Sequence, residues 1–369
     1  MAASAPAEVG RVLTSGYIGQ GTLVDEFERA LAARLGNDRV ATVNSATSGL
    51  HLALHMASRS PGEDGPRIGR AEILTTPMTC PATNFPILAN GLRPRWVDVD
   101  PGSLNIDLDD LARKIGPATA AIVVVHWAGY PVDLDRLRSI LDEAELRLGF
   151  RPAVIEDCAH AWGATYHGRP LGSHGNLAVF SFQAIKHLVC GDGGLMVLPD
   201  ERSHRRARLL RWYGIDRDAG HDMRGGDDVP EWGFKFHMND INAAIGLANL
   251  AQVDEIVAAH RRNAAYLDRE LASVPGLELT DRAADRESSF WIYTVKVRDR
   301  DGFAKHMKDA GISVSPVHAR NDGYGCVRRY VADLPGLDSV ADRMISIPVG
   351  WWLSDEDLAH IVATIRSGW

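Results

Sequence analysis

The sequence has few cysteines, no excess of basic residues and no long apolar run. Its four cysteines, Cys80, Cys158, Cys190 and Cys326, form no CxxC pair, which argues against a zinc site or a disulfide scaffold. The 369 residues include 40 Lys and Arg against 48 Asp and Glu, and the net charge of −8 does not attract nucleic acid. No apolar run reaches the roughly 18 residues that span a bilayer, and the N-terminus lacks the apolar core of a signal peptide. We therefore expect a cytoplasmic protein that binds no metal, nucleic acid or membrane.

The apolar pattern predicts two domains built from strands and helices. Short apolar runs of strand length alternate with helical segments, as in a mostly parallel sheet covered by helices on both faces. A smaller α+β unit follows, with strands at 290–297 and 312–317 and a final helix that begins with a capping box at Ser354. We predict a large domain over residues 1–250 and a small domain over residues 251–369. The predicted strands of the large sheet lie at 39–43, 73–77, 95–99, 120–125, 153–155, 177–182 and 195–198.

Lys186 lies between two predicted buried strands, on the short link between the apolar run 177–182 and the Gly-rich turn 191–194. A lysine held against a packed core loses hydration, which disfavours the ammonium form and lowers the pKa toward that of a nucleophilic amine. Such an amine forms a Schiff base with an aldehyde cofactor. A loop lysine taken alone is more often a solvated surface residue. The prediction of a catalytic Lys186 therefore depends on the residues around it.

An acidic side chain and an imidazole follow the predicted strand at 153–155. They are Asp157 and His160, and ligands of open α/β sheets bind at the carboxyl ends of the strands. Asp157 could pair with a protonated pyridine nitrogen, the contact that a pyridoxal phosphate site makes beside its Schiff-base lysine. The alternative is that Asp157 caps a following helix.

A helix with small and hydroxyl residues at its start follows the predicted strand at 39–43. Unpaired backbone N–H groups and the helix dipole favour an anion at such a terminus, and the hydroxyls of Thr47 and Ser48 add donors. The alternative is an ordinary capped helix. In combination with Lys186 and Asp157, this terminus predicts an aldehyde cofactor that carries a phosphate.

Several motifs in a fixed order resemble one enzyme family over nearly the whole chain. They are SGYIGQGTLVDEFERALAARLG, NSATSGLHLAL, EILTTPMTCPATNFPILANGLRPRWVDVD, VIEDCAHAWGATYHGRPLGSHGNLAVFSFQAIKHL, GDGG and GFKFHMNDINAAIGLANL. The chain resembles the DegT or StrS group of sugar-nucleotide aminotransferases, which belong to pyridoxal phosphate fold type I. The resemblance implies an α/β fold, with a mostly parallel sheet sandwiched by helices and a smaller α+β C-terminal domain. It also implies pyridoxal 5′-phosphate (PLP) as the cofactor.

The resemblance assigns roles to individual side chains. It implies that Lys186 binds the cofactor aldehyde, that Asp157 faces the pyridine nitrogen and that His160 approaches the ring near its phenolic oxygen. It implies a phosphate site formed by Ala46, Thr47 and Ser181.

Two segments depart from the family pattern. Cys80 stands where many relatives place an aromatic residue over the cofactor ring, and a thiol offers the ring less contact area. The segment SPVHARNDGYG, with His318 and Asn321, replaces a His-Tyr-Pro type segment near the substrate. We keep Cys80 as a candidate cofactor contact, and Tyr17, His318 and Asn321 as candidate substrate contacts.

In the family that the chain resembles, the stretch equivalent to 232–240 reaches into the cofactor site of the neighbouring subunit. Lys235 and Asn239 are the candidates for this contact, since a cation and an amide both bind phosphate oxygens. The sequence alone is equally compatible with two other roles: Lys235 as an ordinary surface lysine and Asn239 as the N-cap of the following helix. The resemblance implies a homodimer whose active sites lie at the subunit interface.

The combined prediction is an aminotransferase that moves an amino group from an amino acid, glutamate in the family, to a nucleotide-linked keto sugar in amino-sugar biosynthesis. Two alternatives stay open. The sugar dehydratases of a related branch use the same cofactor but typically replace the lysine with histidine, whereas Lys186 is present here with His187 beside it. A non-catalytic regulatory protein on the same fold would not need Lys186, Asp157, His160 and Ser181 together.

Overall fold

Strands and helices alternate along residues 1–60, 69–217 and 228–369, which the computed structural model describes. The strands are β1 (Val40–Val43), β2 (Glu72–Thr75), β3 (Arg93–Trp96), β4 (Thr119–Val125), β5 (Ala153–Asp157), β6 (Thr165–Tyr166), β7 (Arg169–Pro170), β8 (Leu177–Ser181), β9 (Gly194–Val197), β10 (Leu277–Leu279), β11 (Arg286–Glu287), β12 (Tyr293–Val297) and β13 (Met344–Ile347). The α-helices are α1 (Ala5–Ser15), α2 (Thr22–Leu35), α3 (Ala46–Ser58), α4 (Pro81–Ala89), α5 (Leu108–Lys114), α6 (Leu134–Leu148), α7 (Glu201–Leu210), α8 (Asp240–Leu250), α9 (Val253–Leu271), α10 (Arg300–Asp309), α11 (Pro335–Val340) and α12 (Asp355–Arg366). Within these described ranges, no helix is both long and apolar enough to cross a membrane.

Seven strands form the central sheet in the order β1-β9-β8-β5-β4-β2-β3. The pairs β2–β3, β2–β4, β4–β5 and β5–β8 are parallel, and β9 runs antiparallel to its neighbours β1 and β8. This mostly parallel sheet among helices confirms the predicted fold class. Because β4, β5 and β8 run in the same direction, their last residues, Val125, Asp157 and Ser181, reach the same edge of the sheet. That edge is where open α/β sheets bind ligands.

Two apolar cores cover the two faces of the sheet. One core includes residues of α2, α5, α6 and α8, and the other includes residues of α3 and α7. The neighbouring residues Val179 and Phe180 of β8 belong to different cores, because successive side chains of a strand point to opposite faces. Burial on both faces explains why the strands of this sheet read as continuous apolar runs in the sequence.

The C-terminal part of the chain contains a three-stranded antiparallel sheet in the order β10-β12-β13. Helix α12 begins with the predicted capping box at Ser354. The predicted strand at 312–317 is wrong, since the segment forms only an isolated bridge between Ser315 and Ser346. Pro316 has no N–H to donate to a strand partner, and Val317 adopts a left-handed φ of 66° that ends the extended backbone.

Helix α9 contributes to two apolar cores. Val253 and Val257 in its first half belong to a core of the seven-stranded sheet, whereas Ala264 and Leu267 in its second half belong to the core around the three-stranded sheet. The predicted boundary at residue 250 lies just before this helix. The division at that residue stays a prediction, because one helix contributes to both cores.

Candidate active site

Asp157 ends β5 at the ligand-binding edge of the sheet, and its carboxylate is buried. Its Oδ2 accepts a hydrogen bond from the hydroxyl of Thr83 at 2.7 Å, and its Oδ1 accepts one from the backbone N–H of Ala159 at 3.0 Å. Burial raises the pKa of Asp157, while these two hydrogen bonds and the charge of Lys186 act against the rise. A carboxylate has about four lone-pair sites, so acceptor capacity remains for a ring N–H. Residues 158–164 do not form a helix, and Asp157 is therefore not a helix cap.

Lys186 lies on the turn after β8 with its side chain half-buried. Its backbone N–H donates to the carbonyl of Gln183 at 2.9 Å, which fixes the turn. Burial lowers the pKa of Lys186 to about 8, although the charges of Asp157 and Cys80 act in the opposite direction. Cys80 is half-buried at the N-cap position of α4. The lowered pKa is the direction that favours a nucleophilic amine.

Trp291 forms an aromatic wall beside the lysine, and it was not among the residues predicted from the sequence. The Nζ of Lys186 lies 3.5 Å from the centre of the indole. The indole Nε1 donates to the carbonyl of Ile185 at 2.8 Å. Trp291 precedes β12 of the small domain, and nothing in the local pattern FWIYTVKV signals a contact with a lysine 105 positions earlier in the chain. The left-handed backbone of Phe290, with φ 51°, precedes the tryptophan.

His160 and His318 stack on one another, with 5.6 Å between ring centroids and 12° between the ring planes. Trp127 meets each of them edge-on at 5.9 Å. Burial, followed by the charge of Lys186, lowers the pKa of His160 well below its usual value and the pKa of His318 to about 4. Both imidazoles are therefore neutral at neutral pH. The structure thus brings His318, a predicted substrate contact, to the predicted cofactor residues.

The other two predicted substrate contacts lie elsewhere. Asn321 is fully buried, and its amide bonds to the carbonyl of Thr79 at 2.7 Å and to the side chain of Asn84 at 2.9 Å. Tyr17 is 85% exposed and lines a groove between α1, α2 and α8 that Lys186 does not line. In a single subunit, Asn321 is an internal anchor and Tyr17 is a surface residue.

The start of α3 and the end of β8 form one corner of the site. Ser45 caps this 13-residue helix, Ala46 is its first residue, and Thr47 is exposed. Ser181 pairs with Gly194 of β9, and a Cβ on Gly194 would lie only 2.7 Å from the backbone nitrogen of Ala46. A glycine at this position therefore lets the helix terminus and Ser181 approach each other. The N-terminus of a long helix with hydroxyl groups beside it is an anion site.

Lys235 and Asn239 make contacts within the chain. The Nζ of Lys235 lies 3.7 Å from the centre of the Trp212 ring, and its carbonyl accepts from the side chain of Asn44 at 3.3 Å. The segment thus runs beside the residue that precedes the N-cap of α3. The side chain of Asn239 accepts from the backbone N–H of Asn242 at 3.0 Å and caps α8. Within the chain, Asn239 is therefore the helix N-cap that the sequence offered as the alternative.

Four features fit a phosphate-bearing pyridine aldehyde in this site. The Nδ1 of His160 is buried and has no hydrogen-bond partner in the described part of the chain, so it is free to meet a ring substituent. Asp157 keeps acceptor capacity for a ring N–H. The corner at Gly194 can cradle a phosphate, and Lys186 supplies the amine. These residues match the donor set that PLP needs.

Three buried side chains behind Asp157 lie close enough to hold a metal ion, since the ligand atoms of His126, Glu156 and Cys158 are within 4.8 Å of one another. The backbone N–H of Val132 donates to His126 Nδ1 at 3.0 Å, so the protonated Nε2 donates to Glu156 Oε2, also at 3.0 Å. Asn176 donates to Glu156 Oε1 at 2.7 Å. Both imidazole nitrogens and both carboxylate oxygens are thus used in hydrogen bonds, and we assign no metal to the cluster.

Comparisons with known proteins agree with this geometry. The profile of the DegT/DnrJ/EryC1/StrS aminotransferase family matches residues 1–366. The crystal structure of AtS13 from Actinomadura melliaura is similar at 61% identity and a TM-score of 0.95, covering 100% of this chain and 96% of that one. The sugar aminotransferase CalS13 from Micromonospora echinospora is 55% identical with a TM-score of 0.96, covering 100% and 98%. Spr1654 from Streptococcus pneumoniae, solved in a PLP form, is 25% identical with a TM-score of 0.87, covering 100% and 96%. The resemblance seen in the sequence motifs is confirmed: the chain belongs to the DegT/DnrJ/EryC1/StrS family of PLP-dependent aminotransferases.

Proposed function

We propose that this aminotransferase moves the amino group of glutamate to a keto sugar carried on a nucleotide, in amino-sugar biosynthesis. The sugar is supported by the 55% identity to CalS13, which is named a sugar aminotransferase. The nucleotide carrier and the glutamate donor follow from the resemblance of the motifs to sugar-nucleotide aminotransferases. The observation on which the proposal rests is the half-buried Lys186, with its pKa near 8, beside the buried Asp157. A lysine at this position also favours transamination over dehydration.

We assign a separate role in transamination to each residue of the site. When bound, PLP supplies an aldehyde that binds amines and a ring that takes up the electron pair left when a proton leaves carbon. Lys186 would hold the cofactor through its amine and, when that amine is free, would act as the general base that moves the proton. Asp157 would accept a hydrogen bond from the ring nitrogen and keep that nitrogen protonated. Neutral His160 would contact a ring substituent, and Trp291 would cover one side of the Lys186 amine.

The phosphate would be held by the start of α3, Thr47 and Ser181, and by Lys235 of a second subunit. Support comes from the basic side chain of Lys235 and from the aromatic surface near it. Trp232 is 49% exposed and Tyr213 is 44% exposed. Exposed apolar surface of this kind is typical of protein interfaces. The active unit is a homodimer with shared sites. We also place the enzyme in the cytoplasm, for which the four free thiols are the support.

The test of the function is Lys186→Ala, with Lys308→Ala as a control on the exposed face of α10. The alanine at position 186 should abolish the conversion of glutamate to 2-oxoglutarate, because one amine supplies both cofactor attachment and proton transfer. The circular dichroism spectrum should stay unchanged. The control should keep the wild-type rate. Repeated turnover by the folded Lys186→Ala protein would refute the function. The sugar substrate is identified with the wild-type enzyme that carries the amine form of the cofactor. The substrate is the nucleotide-linked keto sugar that converts this form back to the aldehyde form.

A further inference from the structure

Two threonine hydroxyls form a hydrogen-bonded chain that ends on the carboxylate of Asp157. The Oγ1 of Thr83 lies 2.7 Å from Asp157 Oδ2, and the Oγ1 of Thr79 lies 2.7 Å from that of Thr83. All three side chains are at most 4% exposed. Thr83 lies in the first turn of α4, and Thr79 precedes the N-cap of that helix. The chain thus links the start of α4 to the end of β5.

The direction of both hydrogen bonds follows from the chemistry of the groups. An ionised carboxylate can only accept, so the hydroxyl of Thr83 donates its single proton to Asp157. Thr83 then has only lone pairs to offer to Thr79, and the hydroxyl of Thr79 must donate to it. Both donors therefore point toward Asp157. Hydrogen bonds aligned in this way polarise one another and strengthen the last bond of the chain.

We propose that Thr83, supported by Thr79, is a positioning residue that holds Asp157 ionised and directs its free lone pairs toward the ring nitrogen of the cofactor. The role of Asp157 in the reaction rests on the proposed function. The hydrogen bonds from the two threonines to Asp157 do not depend on it.

A buried acid needs such support because burial raises the pKa of Asp157. The hydroxyl of Thr83 is the largest influence in the opposite direction, followed by the N–H of Ala159 and then by the charge of Lys186. The lysine changes its bonding during the reaction, whereas the hydroxyl does not. Two other titratable groups interact electrostatically with Asp157. His126 lowers the pKa of Asp157, and the charge of Asp157 raises the pKa of Cys158. Among these partners, Thr83 is the neutral side chain that favours the carboxylate at every stage.

The segment of Pro77 and Thr79 is hydrogen-bonded to the segment that carries His318. The side chain of Asn321 donates to the carbonyl of Thr79 at 2.7 Å, and its backbone N–H donates to the carbonyl of Pro77 at 2.8 Å. Asn321 therefore fixes the position of Thr79 relative to a residue on the substrate side. This contact accounts for the burial of the Asn321 amide.

The proposal is tested by removing each hydroxyl while its volume is kept. Thr83→Val removes the final donor, Thr83→Ser restores a hydroxyl, and Thr79→Val removes the supporting donor. Thr119→Val is a matched control, because the buried hydroxyl of Thr119 accepts from the backbone N–H of Gly116 at 3.0 Å at the start of β4, and it does not contact Asp157. The titration midpoint of Asp157 is measured in the cofactor-free protein by carboxyl ¹³C NMR, with the signal assigned by its loss in Asp157→Asn.

We expect Thr83→Val to raise the midpoint of Asp157 by about one pH unit, a tenfold change in proton affinity that matches the loss of one hydrogen bond to a charged group. Thr79→Val should raise it by less, and Thr83→Ser should return it to the wild-type value. In the loaded enzyme, Thr83→Val should slow the half-reaction with glutamate about tenfold, with little change in the KM for glutamate. The control should change stability but neither the midpoint nor the rate. Thr83→Ala gives the same comparison if the valine variant does not fold.

An unchanged midpoint in folded Thr83→Val, or an equal shift in Thr119→Val, would overturn the proposal. A shifted midpoint with a wild-type half-reaction rate would overturn the positioning role. The NMR result needs no cofactor, so it stands even if Lys186→Ala keeps turning over and the proposed function fails.

Discussion

The indole ring of Trp291 stacks on the imidazole of His160, with 4.0 Å between ring centroids and 23° between the ring planes. The Nζ of Lys186 lies 3.5 Å from the centre of the same indole. An amine and an imidazole that are both this close to the ring centre cannot occupy one face, so the indole separates them. The backbone N–H of Trp291 donates to the carbonyl of Ala128 at 3.0 Å and holds the indole against the large domain. The site thus has an aromatic wall although Cys80 supplies none.

Replacing Trp291 by Leu should destabilise the cofactor-free protein by about 2 to 3 kcal/mol. The variant loses a stacked aromatic pair, a cation–π contact and the hydrogen bond from the indole Nε1 to Ile185, each of which contributes roughly 1 kcal/mol. Trp291→Phe keeps an aromatic face and should lose less than half as much. Urea unfolding of the cofactor-free protein measures both changes. Trp351→Leu is the control, since Trp351 is 51% exposed and stacks edge-on against Trp352. Equal losses in the leucine and phenylalanine variants would contradict a role for the aromatic face.

Burial of the Lys186 ammonium should make the stability of the cofactor-free protein depend on pH. Its pKa falls from 10.5 to about 8 in the folded chain, so the unfolded chain binds more protons between these two values. Stability therefore rises as the pH rises from 8 to 10.5, and below pH 8 the full penalty of the buried charge is present. Lys186→Met should raise the free energy of unfolding at pH 7 by about 1 to 2 kcal/mol, allowing for partial exposure of the amine.

The difference between Lys186→Met and wild type should shrink toward zero at pH 10.5, where the folded wild-type lysine is neutral. Urea unfolding at pH 7 and near pH 10 provides the comparison. Lys308→Met, a change of an exposed lysine, is the control. A stability difference that is the same at both pH values would mean that Lys186 is not desolvated.

The sequence predicted the elements that position the site, because local patterns determine them. Continuous apolar runs mark β4, β5 and β8 as strands buried on both faces, and the polar residues that end them follow directly in the chain. Asp157 and Lys186 could therefore be assigned to the same sheet edge from the sequence.

Contacts between distant segments could not be predicted in this way. Thr83 bonds to a residue 74 positions away, and Trp291 stacks on His160 from the other domain. No periodicity in the sequence encodes these distances. The strand predicted at 312–317 failed for a local reason, since Pro316 and the left-handed Val317 interrupt an apolar alternation that otherwise favours a strand. Backbone conformations of this kind depend on the contacts that the segment makes.

The double variant Thr47→Ala and Ser181→Ala should separate cofactor anchoring from chemistry. If both hydroxyls bind the phosphate, the free energy of PLP binding should weaken by about 2 to 3 kcal/mol, on the scale of charge-assisted hydrogen bonds. Titration of the cofactor-free protein with PLP, followed by absorbance, measures the change. Saturating PLP should restore most of the aminotransferase rate. Ser139→Ala, on the exposed face of α6, is the control. A loss of rate that excess PLP does not restore would assign these hydroxyls to the chemistry instead.

Mixing the Lys235→Ala protein with the Lys186→Ala protein tests whether Lys235 crosses a dimer interface. Lys235→Ala should lower the affinity for PLP, and Lys186→Ala should have no activity. If Lys235 acts on the site of the partner subunit, a dimer formed from one subunit of each variant has one site with both changes and one site with neither. At limiting PLP, the mixture should therefore be more active than Lys235→Ala alone at the same concentration of intact Lys186. If Lys235 acts within its own subunit, every mixed dimer has one change in each site. No gain in activity, with subunit exchange demonstrated by mass spectrometry, would then show that the site is not shared through Lys235.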